Sequence, residues 1–169
     1  VLHLAGYEWE VVIGRGHSPE HACLYDRERN VLIAGDQILP TISPNVSVWP
    51  TEPHANPLRD FFDSIDRFEE VLDDDVLVLP AHGKPFRGAH TRLEELRKEH
   101  TGKLEALLDN GREPRRAVDT FAELFGRAIN DSNRVMATGE ALAHLHYLVG
   151  KGDMVASTDD DGVSWYQRA

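Results

Sequence analysis

The sequence predicts an α+β fold in two parts, and two observations carry this prediction. Before Gly88, short apolar runs rich in β-branched residues end in glycine, aspartate or histidine, which is typical of strands that run into loops. After Gly88, leucines recur at helical spacing among charged residues, and the chain closes on two strand-like runs. With 169 residues, 41% of them hydrophobic, the chain is long enough for one average domain or two small ones.

The first part is expected to hold several strands and one helix. The strand-like segments, in chain order, are residues 7–13, 21–27, 31–34 and 76–79. The chain also begins at Val1 in what looks like a strand run. Residues 40–57 contain repeated prolines, which predict an irregular loop. From Pro57 to Leu72 the apolar positions follow helical spacing, which predicts an amphipathic helix.

The second part is expected to be mostly helical. A long helix follows Gly88 and ends at Asn110-Gly111, because glycine favours helix C-termini. A shorter helix is predicted from Pro114, a good first-turn residue, and a third from Thr138 as its N-cap. The last two strand-like segments form a hairpin in this prediction, and they are residues 153–157 and 163–167.

Metal-capable side chains follow three of the predicted strands. Gly14 and Gly16 allow a sharp turn that presents His17, and Asp36 and His82 come directly after two further strands. Each has a plain structural alternative, respectively a turn histidine, a capping aspartate and a surface histidine. The order and matching contexts of all three favour a shared metal site at the strand ends.

Three stretches of the sequence carry a resemblance to a known family. Gly14-Arg15-Gly16-His17-Ser18-Pro19-Glu20-His21, Gly35-Asp36 and Pro80-Ala81-His82-Gly83 closely resemble the second half of the metallo-β-lactamase-fold hydrolases. That family includes glyoxalase II, bacterial thioester and lactone hydrolases, and a group of nucleases. Its first motif, His-x-His-x-Asp-His, does not occur here, so we expect a fragment of a longer hydrolase.

The resemblance also divides the chain into segments. It implies the C-terminal half of an αββα sandwich over residues 1–88 and a connecting long helix over residues 89–112. Residues 113–169 read as helix, helix and hairpin, and this order resembles the winged-helix module of the lactamase-B2-like branch.

The resemblance implies a role for each site residue. His17 corresponds to a ligand of the first of two zinc ions, Asp36 to the bridging carboxylate and His82 to a ligand of the second zinc ion. A metal-bound hydroxide would then attack the substrate. His21 is expected to support the ligands, as are Gly16 and Gly83.

The match to the family is incomplete in two respects. Arg15 stands where a proline often precedes the Gly-His pair, and it would either alter the loop conformation or place a cation near an anionic substrate. The remaining zinc ligands belong to the missing motif, so this chain alone is expected to bind zinc weakly or not at all and to be inactive.

Three functions compete at this stage. The first is a hydrolase of small esters, thioesters or lactones, the second a ribonuclease of the same fold, and the third a non-enzymatic winged-helix binding module. The net charge is −11, residues 138–149 contain no Lys or Arg, and the hairpin tip is Asp159-Asp160-Asp161. Duplex nucleic acid is therefore an unlikely partner, and a small-molecule substrate is expected.

Further expectations concern environment and association. The single cysteine, Cys23, fits a reducing compartment, and we expect a cytoplasmic protein. No apolar run is long enough for a membrane span. The apolar face of a half-sandwich predicts self-association. His144 and His146 imitate a His-x-His motif, but on a helix they point about 200° apart.

Overall fold

A computed structural model describes residues 1–126 and 128–169 and shows a mixed α+β fold with four α-helices. The elements in chain order are β1 (Leu2–Leu4), β2 (Tyr7–Gly14), β3 (His21–Asp26), β4 (Val31–Gly35), α1 (Pro57–Val71), β5 (Leu77–Pro80), α2 (Ala89–Asn110), a 3₁₀ turn (Ala117–Thr120), α3 (Phe121–Leu124), α4 (Arg134–Lys151), β6 (Met154–Thr158) and β7 (Ser164–Arg168). None of the helices in the described ranges has the length and apolar character that a bilayer crossing requires.

The chain forms two compact units. The first unit consists of Val1–Pro44 and Arg59–Arg97, and the second unit consists of Asn45–Leu58 and Lys98–Ala169. The segment between residues 45 and 58 thus groups with the C-terminal part of the chain, which sequence patterning did not indicate. The predicted segment boundaries after residues 88 and 112 stay predictions.

The first unit is organised by a five-stranded sheet in the order β1-β2-β3-β4-β5. Neighbouring strands from β1 to β4 are antiparallel, whereas β4 and β5 are parallel. The carboxyl ends of β4 and β5 therefore meet at the same edge of the sheet. This edge receives the two loops that follow those strands.

The two faces of this sheet differ in burial. Tyr25 and Leu32 pair across β3 and β4 on the buried face, where both are almost inaccessible. Burial also raises the pKa of the Cys23 thiol on this face to about 12, which keeps the thiol protonated and supports a packing role. On the opposite face Ile33 is 39% exposed.

In the second unit, the shorter helix begins later than the sequence predicted. Arg115 and Tyr166 exchange two backbone hydrogen bonds of 2.9 and 2.8 Å, which join the segment after α2 to β7. This pairing keeps Arg115 extended, so the predicted helix from Pro114 is wrong. The chain turns helical only at Ala117, and it does so through a 3₁₀ turn before α3.

The start of α4 is also earlier than predicted. Asn133 is the N-cap position, and its carbonyl oxygen accepts the first helical hydrogen bond from Ala137 N–H at 2.9 Å. Thr138 is therefore inside the helix, where its hydroxyl donates to the Arg134 carbonyl oxygen at 2.8 Å. The prediction of Thr138 as N-cap is wrong because its side chain bonds back to the preceding turn rather than to the next N–H groups.

The two histidines of α4 have separate structural roles. His144 is fully buried, and its Nε2 lies 3.1 Å from Nδ1 of His100 on α2, while its own Nδ1 lies 2.8 Å from the Glu140 carbonyl oxygen. His146 instead contacts the Ala55 carbonyl oxygen at 2.9 Å and the Tyr166 hydroxyl at 3.3 Å. The two rings therefore do not form a paired site.

The buried His100–His144 pair predicts an acid-sensitive fold. The pKa of both imidazoles is lowered from 6.5 to about 3, mainly by burial and, for His100, also by the Lys103 ammonium group. As the pH falls below 6.5, the two imidazoles bind protons in the unfolded chain but stay neutral in the folded chain. The free energy of unfolding therefore decreases down to about pH 3. At pH 5 the loss is about 2 kcal/mol for each histidine.

Denaturant unfolding at pH 7.5 and pH 5 measures this loss. A variant with His100→Gln and His144→Gln should have a smaller difference in unfolding free energy between the two pH values. The control His3→Gln changes an exposed histidine and should retain the full difference. An equal difference in the double variant and the wild type would contradict the assignment.

Candidate metal centre

Three predicted site residues meet at one edge of the first unit's sheet. The Asp36 carboxylate lies between two imidazoles, with Oδ2 3.9 Å from His17 Nε2 and Oδ1 3.5 Å from His82 Nε2. His17 follows β2, Asp36 follows β4 and His82 follows β5, so the loops after three strands deliver the three side chains. Two imidazole nitrogens and a carboxylate are ligand types that zinc accepts.

The parallel strands β4 and β5 bring Asp36 and His82 together. The Ala81 N–H donates to the Gly35 carbonyl oxygen at 2.8 Å, so the pairing of the strands extends to the residues next to both site side chains. Gly83 then turns the chain with a φ of +89°, where a Cβ would lie 2.6 Å from Pro40. Glycine at this position lets the loop after His82 pass close to the loop after Asp36.

The loop that carries His17 is fixed by side chains from distant parts of the sequence. The Arg15 N–H donates to the Ser64 hydroxyl of α1 at 2.7 Å, and the Gln37 side-chain amide donates to the Arg15 carbonyl oxygen at 3.2 Å. Gly16 has a φ of +96°, which gives the sharp turn before His17. Both peptide groups of Arg15 are thus held while its guanidinium group points to the exposed Glu20 at 3.4 Å.

Sequence reasoning missed Ser64 and Gln37 as positioning residues. Both are almost completely buried, and Gln37 directly follows a predicted ligand. For Gln37 the sequence offered one signal, a polar residue directly after a candidate ligand. Ser64 gives no such signal, because a serine in an amphipathic helix ordinarily faces solvent.

His21 is the first residue of β3 and lies beside the site without touching Asp36. Its ring centre is 5.9 Å from that of His17, and a Cβ on Gly35 would lie 2.3 Å from its Nε2. Burial lowers the pKa of His21 and the His17 charge lowers it further, whereas the Asp36 charge and a hydrogen bond with the Ala34 backbone oppose the shift. The auxiliary role of His21 stays a prediction.

The surroundings of Asp36 fit a cation. Its Oδ1 atom is buried and has no hydrogen-bond partner among residues 1–126 and 128–169, although His82 Nε2 is within ion-pair distance. A buried carboxylate oxygen without a donor is unfavourable, and a bound metal ion would satisfy it. His82 is largely exposed at 70%, whereas His17 is 27% exposed.

The donor set on this chain is nevertheless partial. Across the described part of the chain, no group of three or more His, Cys, Asp and Glu side chains is arranged so that it could hold a metal ion. Asp36 contacts each histidine separately, and further ligands would be needed to enclose a metal ion.

The family follows from two matches. The model of the metallo-beta-lactamase superfamily matches residues 3–83, and the model of the metallo-beta-lactamase-like C-terminal domain matches residues 104–169. The chain belongs to the metallo-β-lactamase superfamily. Members of this superfamily are generally hydrolytic. A comparison with curated proteins gave no match.

Solved structures agree with this assignment. The chain is similar to a β-lactamase domain protein from Burkholderia ambifaria, with 44% identity and a TM-score of 0.94 over 99% of this chain and 50% of that one. A metallo-β-lactamase family protein from Thermus thermophilus is 34% identical, with a TM-score of 0.85 over 99% of this chain and 52% of that one. The chain therefore spans about half the length of these two proteins.

The contact between Gly35 and His21 leads to a test with a matched control. Gly35 and Gly88 both have positive φ angles, +55° and +86°, so alanine at either position adds backbone strain. Only at position 35 would the new Cβ also meet a side chain, since nothing lies within 4 Å at Gly88. We expect Gly35→Ala to lower the unfolding free energy by about 1–3 kcal/mol more than Gly88→Ala.

Denaturant unfolding of the two variants measures this difference. Equal destabilisation would show that His21 does not pack against Gly35 in solution.

Proposed function

We propose that this chain forms part of a zinc-dependent hydrolase that acts on a small ester, thioester or lactone. The observation that carries the proposal is the Asp36 carboxylate between His17 and His82, with a buried oxygen that no hydrogen-bond donor of the described residues satisfies. Superfamily membership indicates hydrolysis as the general class of reaction. His17, Asp36 and His82 at the edge of the sheet would supply ligands for the metal.

Each site residue has a defined task in this proposal. His17, Asp36 and His82 would hold zinc, and the Asp36 carboxylate would offset part of the charge of the metal. Bound zinc would acidify a water molecule and polarise the carbonyl group of the substrate. Both imidazoles must be neutral and Asp36 ionised, so zinc binding competes with protons and weakens in acid.

The charges of the second unit favour a small substrate over nucleic acid. Helix α4 carries only two basic residues, Arg134 and Lys151, one at each end. The Asp159 carboxylate in the hairpin turn accepts a 2.7 Å hydrogen bond from Trp165 Nε1, which lowers the pKa of Asp159 and keeps the turn anionic. Such a surface repels a phosphate backbone.

These charges also disfavour the two alternatives. The succession of α4, β6 and β7 supports a winged-helix interpretation of the second unit, but its basic residues are too few and too far apart for a groove-binding helix. A ribonuclease would need a cationic path for its substrate, and α4 and the hairpin turn do not provide one. A small uncharged or weakly anionic acyl substrate avoids this conflict.

Zinc binding and hydrolysis test the proposed site together. Asp36→Asn and His82→Gln should each lower zinc affinity at least about tenfold, because each removes a ligand. The matched controls Asp63→Asn and His3→Gln change exposed residues outside the site and should bind zinc as the wild type does. Zinc affinity is measured by competition with a chromophoric chelator, in this chain and in the full-length protein.

Hydrolysis is measured in the full-length protein, because this chain spans about half the length of the two similar solved structures. The site variants should abolish hydrolysis of a panel of esters, thioesters and lactones, and the controls should retain it. Unchanged zinc affinity in Asp36→Asn would remove the basis of the proposal. Cleavage of a single-stranded RNA in place of the panel would replace the small-molecule substrate with RNA.

We also propose that the open face of the sheet associates with a second copy of the chain. Val11 pairs with Leu24, Leu24 with Ile33, and Ile33 with Leu79, so an apolar row crosses four neighbouring strands on one face. Ile33 at its centre is 39% exposed, and the other three are only partly buried. A continuous apolar row of this kind is unfavourable in water.

Sedimentation velocity over a range of concentrations tests this association. Ile33→Lys should shift the wild-type distribution toward monomer, because it places a charge in the middle of the row. Val155→Lys is the control, since Val155 is 54% exposed on the hairpin of the second unit. A wild-type chain that stays monomeric at high concentration would refute the proposal.

A further inference from the structure

The second unit contains a cavity lined only by its own residues. It has a volume of about 330 Å³ and lies between the segment that begins at Ser47 and the first half of α4. This volume falls at the lower end of the range of small-molecule sites, about 300–1,000 Å³. Its lining is mostly apolar and includes Trp49, Val48, Val135, Leu142 and two prolines.

The close packing that forms the cavity depends on a glycine. The Val48 N–H donates to the Gly139 carbonyl oxygen at 3.0 Å, which fixes the segment against α4. A Cβ on Gly139 would lie 2.9 Å from the Ser47 side chain and 2.9 Å from the Val48 carbonyl oxygen. The cavity is therefore a preformed feature of this unit.

The hydroxyl groups of the cavity wall are already engaged within the protein. Ser47 donates to the Asn45 side-chain oxygen at 2.7 Å, and Thr138 donates to the Arg134 carbonyl oxygen at 2.8 Å. A ligand with many hydroxyl groups would find few partners here, so the wall favours an apolar ligand body.

One charged group remains available to orient a ligand. Arg134 is one of the lining residues, and its guanidinium group forms an ion pair of 2.9 Å with Asp131. The two side chains are 60% and 94% exposed, so this pair contributes little and a second carboxylate can share or replace Asp131. The cavity thus has a mostly apolar lining that includes one cationic residue, Arg134.

We propose that this cavity binds a monocarboxylate with an unbranched alkyl chain of medium length. The alkyl chain would occupy the space between Trp49 and Leu142, and the carboxylate would pair with Arg134. The proposal rests on the second unit alone and does not depend on the proposed hydrolase. Its test needs neither metal nor hydrolysis, so the two proposals can fail separately.

Titration of the full chain with sodium hexanoate and sodium octanoate, followed by tryptophan fluorescence, tests this proposal. Binding should be saturable, and octanoate should bind more tightly by about fourfold for each added methylene. Trp49→Phe should remove the fluorescence change, while calorimetric titration of the same variant should still detect binding.

Charge recognition is tested by comparing octanoate with 1-octanol. Arg134→Gln should weaken octanoate about three- to fivefold and leave 1-octanol unchanged. Arg112→Gln is the matched control, because Arg112 is exposed and does not line the cavity.

Three results would overturn the proposal. The first is the absence of saturable binding by both fluorescence and calorimetry. The second is an equal loss of octanoate and 1-octanol affinity in Arg134→Gln, which would show that Arg134 does not pair with the carboxylate. The third is an equal loss of octanoate affinity in Arg134→Gln and Arg112→Gln. That result would show that the affinity depends on the net charge of the chain and not on the position of Arg134.

Discussion

The parallel pairing of β4 with β5 is the constraint on which the candidate metal centre depends. Antiparallel neighbours place successive loops at opposite edges of a sheet, whereas these two strands end at the same edge. The register shifts between Ile33 and Gly35, so that Gly35 is aligned with Pro80. Asp36 comes one residue after Gly35, and His82 comes two residues after Pro80. Backbone hydrogen bonds between the two strands therefore set the separation of Asp36 and His82.

The third side chain reaches the same edge by a different mechanism. His17 lies in a loop, and no strand pairing determines its position beyond Gly14. Its orientation relies on Ser64 and Gln37, which hold the peptide groups of Arg15 from α1 and from the loop after β4. The sheet therefore places two side chains of the site, Asp36 and His82, and buried polar contacts place the third, His17.

What could be predicted from the sequence depended on how local the signal was. The strands of the first unit follow from apolar runs of β-branched residues, and the meeting of His17, Asp36 and His82 follows from their positions after those strands. The late start of the helix near Pro114 could not be predicted, because it results from the pairing of Arg115 with the distant residue Tyr166.

Other features also arise only in the folded chain. Two histidines two residues apart on a helix can be recognised as an unsuitable ligand pair, but nothing in the sequence indicates that His144 packs against His100. Likewise, the early start of α4 follows a turn at Asn130–Asn133, where the Asn133 side-chain oxygen accepts from the Asn130 N–H and the Asn130 side-chain oxygen accepts from the Ser132 N–H.

The second unit is discontinuous in sequence, and this has a consequence for the order of events during synthesis. Val48 emerges from the ribosome well before Gly139, whose carbonyl oxygen its N–H group contacts. At bacterial and eukaryotic translation rates this interval is about 5 to 20 seconds. During that time the segment from residue 45 to residue 58 lacks the partner that orders it, and it must stay accessible while the strands before it are already complete. The second unit can therefore close only after α4 has been made, and no single cut in the chain leaves both units whole.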